Sequence, residues 1–166
     1  MHYIPEKTEY KKELLFKNIT FSDAMGTTEH FWPMVGISEN TNVANHACAM
    51  IMPTTAKVLQ IHLRTSTDHS GQNTTLKLYK WATNVAHANT GVVSLIGTKI
   101  EVGPSTTNTV IYDFSAALDS GISTYSKNEM MSLGIINASS ISDTCKYMAT
   151  MIIELDWSDR LNNLLK

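Results

Sequence analysis

The sequence predicts an all-β protein, folded as an antiparallel β-sandwich or barrel of about eight to nine strands. The chain of 166 residues contains 20 Thr, 15 Ser and 12 Asn, and Thr favours strands whereas Ser and Asn favour turns. Short apolar runs alternate with clusters of turn-forming residues at regular spacing. No long segment has helical periodicity, so the crossover helices of a parallel α/β sheet are absent from the pattern.

A hairpin is predicted in the middle of the chain. The runs KVLQIHLRT (57–65) and TLKLYKW (75–81) both alternate between apolar and polar residues, and STDHSGQN (66–73) between them is rich in turn formers. Leu59, Ile61 and Leu63 are expected to face the core from the first strand. Leu76 and Leu78 are expected to do so from the second.

The strongest strand signal is CKYMATMIIELDW (145–157). Alternate residues from Cys145 to Trp157 are apolar or small over 13 positions, a period that excludes a helix. Met148 and Ile152 interrupt the polar face of this strand, so both are candidates for an oligomer interface. The remaining predicted strands lie in six runs: 13–21, 30–38, 43–52, 92–102, 107–115 and 130–136.

The chain is predicted to form one domain with two short tails. With 43% hydrophobic residues, residues 14–157 can form a single core. Residues 1–13 interleave Lys and Glu without a core-facing pattern and are expected to be an N-terminal arm. Residues 158–166 form a C-terminal tail with a short helical turn, in which Leu161, Leu164 and Leu165 share one face and are further interface candidates.

Charge and hydropathy argue against several partners. The net charge is −2, which does not supply the basic surface that nucleic acid needs. No apolar run approaches the roughly 20 residues of a membrane-spanning helix, and the charged N-terminus does not match a secretory signal. Synthesis in the cytoplasm without export is expected. Cys48 and Cys145 are then expected to be buried free thiols, with a disulfide or a reactive thiol as the alternatives.

The sequence contains no catalytic, cofactor-binding or metal-binding motif. Phosphate loops, dinucleotide fingerprints and zinc ribbons are missing, and no two of the six histidines form a close pair with a nearby carboxylate. His62 is expected to be a hydrogen-bonded strand residue that binds no ligand, and His69 is expected to lie in a solvated turn. The chain is therefore predicted to be non-enzymatic. An enzyme on a β-sandwich is the least favoured reading.

Two aromatic residues are candidates for ligand stacking. Tyr79 and Trp81 fall on the polar side of the second hairpin strand, where exposed rings could stack on a sugar or anchor an interface. The alternative is that a second packed layer buries both rings.

Residues from about His30 to Trp157 resemble a family of β-rich virion structural proteins of tailed phages, especially marine ones. The resemblance lies in AMIMP (49–53), KVLQIHLRTS (57–66), TLKLYKW (75–81), VIYDFS (110–115) and YSKNE (125–129) leading into MMSLGI. These are loose patterns that cover about three quarters of the chain. The resemblance implies a jelly-roll-like sandwich, often trimeric, used in capsid decoration, head fibres or tail-fibre tips, and it carries no catalytic residues.

The expected function is that of a non-enzymatic capsid decoration protein in the virion of a tailed phage. The expected partners are further copies of the chain, as a homotrimer, and other virion proteins such as the major capsid protein. The alternative is a receptor- or carbohydrate-binding tip module of a tail fibre or head fibre, which would bind a host-surface glycan.

Overall fold

The computed structural model describes residues 12–36, 38–42, 48–82, 94–115, 124–140 and 144–158. These residues form ten strands, and the all-β prediction is confirmed. Their bounds are β1 Lys12–Asp23, β2 His30–Phe31, β3 Met50–Ile51, β4 Thr55–Thr65, β5 Asn73–Trp81, β6 Ser94–Val102, β7 Val110–Asp113, β8 Thr124–Tyr125, β9 Met130–Asn137 and β10 Cys145–Asp156. None of the helices among the described residues has the length and apolar character needed to cross a membrane.

The strands form two antiparallel five-stranded sheets. Sheet A has the order β1-β10-β4-β7, with β8 also paired to β4, and sheet B has the order β2-β9-β5-β6, with β3 also paired to β9. The pairs are nested in sequence: β1 with β10, β2 and β3 with β9, β4 with β7, and β5 with β6. Antiparallel strands whose pairs are nested in this way and divided between two sheets form a jelly roll. The predicted antiparallel sandwich is therefore confirmed.

The core lies between the two sheets and follows the alternation of each strand. Along β10, the six residues that point inward are buried: Cys145, Tyr147, Ala149, Met151, Ile153 and Leu155. Phe21 of β1 stacks on Tyr147 with ring centroids 4.9 Å apart, and its edge meets Trp32 at 5.4 Å. Each large apolar side chain buried here contributes about 1.5–3 kcal/mol relative to exposure, so this layer carries much of the stability.

A β-bulge in β4 corrects one predicted core residue. The register of β10 against β4 runs from Ile152↔Gln60 to Ile153↔Val58, which leaves Leu59 as the extra residue. Ile61 and Leu63 face the core as predicted, but Val58 takes the place expected for Leu59, which is only half-buried. The backbone carbonyl of Leu59 instead accepts a hydrogen bond from the Phe114 amide at 2.8 Å.

Two predicted strands are reduced to two residues each among the described residues. In the described part of the run 30–38, only His30–Phe31 is strand, because Pro33 cannot donate to a ladder and restricts the residue before it. Only Met50–Ile51 is strand among the described residues of 43–52.

β1 overlaps the end of the segment that the sequence assigned to the N-terminal arm. β1 begins at Lys12, so Lys12 and Glu13 of the expected arm are part of the sheet. Lys12 Nζ forms an ion pair with Glu154 at 3.0 Å, and Glu13 accepts a hydrogen bond from the indole of Trp157 at 2.8 Å. Residues 1–11 and 159–166 lie outside the described residues.

Candidate functional surfaces

The outward face of sheet A carries exposed apolar side chains, called here the apolar face. It is centred on the exposed Phe16 of β1 and Met148 of β10 and on the partly buried Ile152 of β10, and the exposed Leu14 and Ile111 extend it. Phe16 is 57% exposed and Met148 is 40% exposed. Phe16 pairs directly with Ile152 across the ladder, and large apolar groups at such cross-strand positions form a continuous surface.

A shallow depression of about 570 Å³ lies on the apolar face. Its lining mixes apolar groups with a polar side formed by Asn18, His62, Arg64 and Thr150. The Thr150 hydroxyl donates to Asn18 Oδ1 at 2.8 Å, and Arg64 Nε donates to the carbonyl of Thr106 at 3.0 Å. An apolar centre beside polar groups that hydrogen bonds keep in place is suited to binding another macromolecule.

The structure places two of the five predicted interface residues on the apolar face. Met148 and Ile152 lie there together, because both occupy outward positions of β10. Leu161, Leu164 and Leu165 lie outside the described residues. Phe16 was not predicted as an interface residue, although the run ELLFKNITF contained the signal. Leu14 and Phe16 lie on the outward face of β1, whereas Leu15, Ile19 and Phe21 lie on its inward face.

A second set of exposed apolar residues lies on β6, the edge strand of sheet B. Leu95, Ile100 and Val102 are each more than half exposed. An exposed apolar edge strand is a template for pairing with another chain. The protein therefore presents apolar surface on both of its sheets.

The protein itself covers the predicted stacking residue Trp81 fully and Tyr79 in part. Trp81 is 0% exposed, so its ring faces are packed and are not open to a ligand. Tyr79 is half-buried, meets Phe31 edge-on at 5.5 Å and donates its hydroxyl to Glu29 at 2.8 Å. The ring of Trp81 is thus buried, as the alternative expected, whereas the ring of Tyr79 is only partly covered.

Glu29 connects Tyr79 to a charged partner. Its second carboxylate oxygen accepts a hydrogen bond from Lys77 Nζ at 3.2 Å. Burial, followed by the hydrogen bond and the negative charge of Glu29, raises the pKa of Tyr79 well above its usual value. Tyr79 therefore stays protonated and serves as a hydrogen-bond donor.

Cys145 and His69 form a buried polar cluster at the start of β10. His69 is 2% exposed, so the expectation of a solvated turn is wrong. Its ring packs edge-on against Tyr147 at 5.6 Å, and its backbone is hydrogen-bonded to Pro104 and Gln72. Burial raises the pKa of Cys145, but the neighbouring polar groups of His69, Thr67 and Ser66 outweigh that effect and lower it to about 7. Of these, the Ser66 hydroxyl donates a hydrogen bond to the sulfur at 3.8 Å.

Both cysteines are buried and free, as the sequence predicted. The Cys48 thiol donates to the carbonyl of Phe31 at 3.3 Å. Burial, with a smaller contribution from the charge of Glu39, raises its pKa to about 11. Because Cys145 is fully buried, its ionisable sulfur is not accessible to a substrate.

Three residues of ligand type converge where β1 ends and β2 begins. Asp23, His30 and Glu39 each place one ligand atom within 4.8 Å of the other two. The sequence predicted no metal ligands, because none of the six histidines forms an HxH or HxxxH pair with a nearby carboxylate. Only the turn back of the chain after β2 brings Glu39 to His30.

Comparison with known proteins identified no matching family model and no matching curated protein. Among solved structures, a chain of infectious bursal disease virus (Gx strain) is 7% identical with a TM-score of 0.47, covering 95% of this chain. This chain spans only 36% of the viral one. The Yersinia pseudotuberculosis-derived mitogen is 13% identical with a TM-score of 0.35, covering 85% of this chain and 86% of its own.

A chain of Desmodium yellow mottle tymovirus is 8% identical with a TM-score of 0.31, and the match covers 94% of both chains. All three TM-scores are below 0.5. The fold therefore rests on the strand pairing described above, and these similarities carry no argument about function.

Proposed function

We propose that the protein is a non-enzymatic structural protein of a phage virion, most specifically a capsid decoration protein of a tailed phage. The observation that carries this proposal is the apolar face, in which Phe16, Met148 and Ile152 lie together on the outside of a jelly-roll sandwich. Exposed apolar surface of this kind marks an interaction site. The resemblance of residues 30–157 to virion structural proteins of tailed phages supports the virion as the assembly in which the protein acts.

Self-association through the apolar face is the first part of the proposal. Phe16 and Ile152 are directly opposed, so one flat surface extends over two adjacent strands of sheet A. Burying such a side chain against a second copy contributes about 1.5–3 kcal/mol each. A homotrimer is the proposed oligomer, and β6 of sheet B provides a separate surface for the major capsid protein.

The chemistry of the described residues favours assembly over catalysis. Cys145, with a pKa of about 7, would be the natural nucleophile, but it is 0% exposed. The depression on the apolar face is lined by one aromatic and several neutral side chains, together with His62 and Arg64. This composition is that of a binding surface.

A glycan-binding tip module is the second candidate, and one observation favours it. Phe16 is exposed beside the polar groups of Asn18 and Thr150 in the depression, and aromatic rings next to hydrogen-bonding groups bind sugars. In this reading Phe16 replaces Tyr79 and Trp81 as the stacking residue. A glycan array distinguishes the candidates, because a decoration protein gives no selective signal.

Electron microscopy tests the location. Antibodies raised against the purified chain are used for immunogold labelling of particles of the phage that encodes it. Label distributed over the head is the expected result. Label confined to the tail or to fibre tips favours the tip module, and particles without label would contradict both virion roles.

A further inference from the structure

We propose that Asp23, His30 and Glu39 form a binding site for one divalent transition-metal ion, of which Zn²⁺ is the representative. The site is separate from the apolar face and goes beyond the proposed virion role. It lies at one end of the sandwich, where the last residue of β1 meets the first residue of β2. Because β1 belongs to sheet A and β2 to sheet B, a bound ion would cross-link the two sheets.

The geometry around His30 is the first observation. Its Nδ1 atom lies 3.0 Å from Asp23 Oδ2 and 2.8 Å from Glu39 Oε2. One ring nitrogen therefore faces two carboxylate oxygens at the same time. A single N–H can donate a well-aligned hydrogen bond to only one of them, and in the structure that hydrogen bond goes to Glu39.

The second observation is that one oxygen of the other carboxylate, that of Asp23, lacks a hydrogen bond within the described part of the chain. Asp23 Oδ2 is shielded from solvent and accepts no hydrogen bond from any described residue. A buried carboxylate oxygen without a hydrogen bond is costly, and such groups are usually paired or bind a metal. An ion placed between the three atoms would satisfy Asp23 and Glu39 together.

The ligand atoms are already close to the spacing of a coordination shell. Zinc bonds to imidazole nitrogen and carboxylate oxygen are about 2.0–2.2 Å long, so ligand atoms at the tetrahedral angle lie about 3.3–3.6 Å apart. The observed separations from His30 Nδ1 are 2.8 and 3.0 Å. An ion between the three atoms would therefore require the carboxylates to move away from His30 by about half an ångström.

The backbone holds the three ligands in place independently of an ion. Asp23 is fixed by its ladder position opposite Cys145, and His30 by its position opposite Ile135. Phe31 and Asn40 exchange two backbone hydrogen bonds of 2.7 and 3.2 Å. These bonds return the chain so that Glu39 lies beside His30, which makes the site preorganised.

The ligand types select the class of ion. Imidazole nitrogen favours Zn²⁺ and its neighbours in the transition series, whereas Ca²⁺ and Mg²⁺ favour all-oxygen sites. The two carboxylates supply the charge that neutralises a divalent cation. Three protein ligands leave at least one position for water or a further ligand.

The test is calorimetric titration of the chelator-treated full-length protein with ZnCl₂. We expect one saturable site per chain. Asp23→Asn and Glu39→Gln each keep the shape of the side chain but remove its negative charge, so each should weaken zinc binding at least about tenfold. Glu101→Gln on exposed β6 and His62→Asn on the apolar face are the matched controls, and both should bind zinc like the parent.

Thermal unfolding provides an independent readout. Zinc should raise the Tm of the parent and of the two controls by several degrees and should leave that of Asp23→Asn unchanged. Circular dichroism checks that Asp23→Asn is folded, and Glu39→Gln replaces it in both measurements if it is not. Absence of saturable binding, or equal binding by Asp23→Asn, Glu39→Gln and the parent, would overturn the proposal and leave a simple Asp-His-Glu ion-pair cluster.

Discussion

Phe16 of β1 and Ile152 of β10 lie directly opposite each other in the antiparallel ladder, with both side chains on the outward face of sheet A. Their inward neighbours Leu15 and Ile153 are opposed in the same way on the other face. The two strands therefore carry apolar side chains on both faces. Only the inward face is needed for the core of one chain.

The first prediction concerns self-association through this pair. Ile152→Glu should weaken the association by at least tenfold, because it replaces apolar burial of about 1.5–3 kcal/mol with a charge. Light scattering over a concentration series measures the effect, and the unfolding midpoint should change little. Ile100→Glu is the matched control, because it makes the same substitution at an exposed position of β6 in sheet B. If Ile152→Glu assembles like the parent, the apolar face is not the oligomer interface.

The second prediction distinguishes packing from ligand stacking at Trp81. Because Trp81 is fully buried, Trp81→Ala should lower the free energy of unfolding by about 3–5 kcal/mol. Tyr79→Phe removes one hydrogen bond to Glu29 and should cost about 1 kcal/mol. Urea unfolding measures both values. A Trp81→Ala protein with parental stability would show that the ring is not packed as described.

The third prediction is a pH dependence from Cys145. Its pKa is about 7 in the folded chain and 9.0 for an ordinary thiol, so between these values the unfolded chain binds more protons. The stabilisation from the thiolate is complete above pH 9 and is lost as pH falls towards 7. The difference in unfolding free energy between the parent and Cys145→Ala should therefore grow from pH 7 to pH 9. A constant difference would contradict the assigned thiolate.

Cys48 should show the opposite trend and serves as the control. Its pKa is raised from 9.0 to about 11, so its contribution is complete below pH 9 and is lost as pH rises towards 11. The difference between the parent and Cys48→Ala should be constant from pH 7 to pH 8 and should fall above pH 9. Neither thiol should react with a thiol probe before unfolding, since both are buried.

The fourth prediction tests the close approach at Gly103. A Cβ atom at this position would overlap the backbone carbonyl of His69, which cannot move independently of its own hydrogen bonds. Gly103→Ala should therefore cost about 1–3 kcal/mol of stability. Gly71 has no atom within 4 Å of such a Cβ, so Gly71→Ala should be close to neutral. Equal stabilities of the two variants in urea would contradict the packing of this loop.

The fifth prediction concerns the two ends of the chain. Removal of residues 1–11 leaves β1 whole, and removal of residues 160–166 leaves the Glu13–Trp157 hydrogen bond in place. Both truncated proteins should keep nearly the parental Tm. We expect at least one of them to lose binding to particles stripped of the protein, since Leu161, Leu164 and Leu165 are interface candidates. Parental binding by both would place the attachment on the sandwich.

The strands could be predicted from the sequence wherever the alternation of apolar and polar residues along one segment is enough to define a strand. The alternation from Cys145 to Leu155 identifies β10, and Leu76 with Leu78 identifies the inward face of β5. The bulge at Leu59 was not predictable, because an extra residue depends on the partner strand and not on the alternation itself. The same limit applies to Trp81, whose burial depends on what packs over it.

The candidate sites were harder to predict because they join distant segments. His69 was expected in solvent from its polar loop, yet contact with Tyr147 places it in the interior. His30 has no ligand at typical spacing, and its carboxylate neighbours come from the end of β1 and from the segment after β2. Spacing in sequence does not reveal such a cluster, since strand pairing determines it.

The pairing of β1 with β10 has a consequence for biosynthesis. Asn18 and Thr150 are hydrogen-bonded partners separated by 132 positions, and Glu13 and Trp157 by 144. Contacts between such distant segments slow folding, because a long loop must close before they form. β1 leaves the ribosome well before its partner β10 is synthesised. Until then Ile19 and Phe21, which the fold buries, remain uncovered, so aggregation is a greater hazard for the nascent chain than for the folded domain.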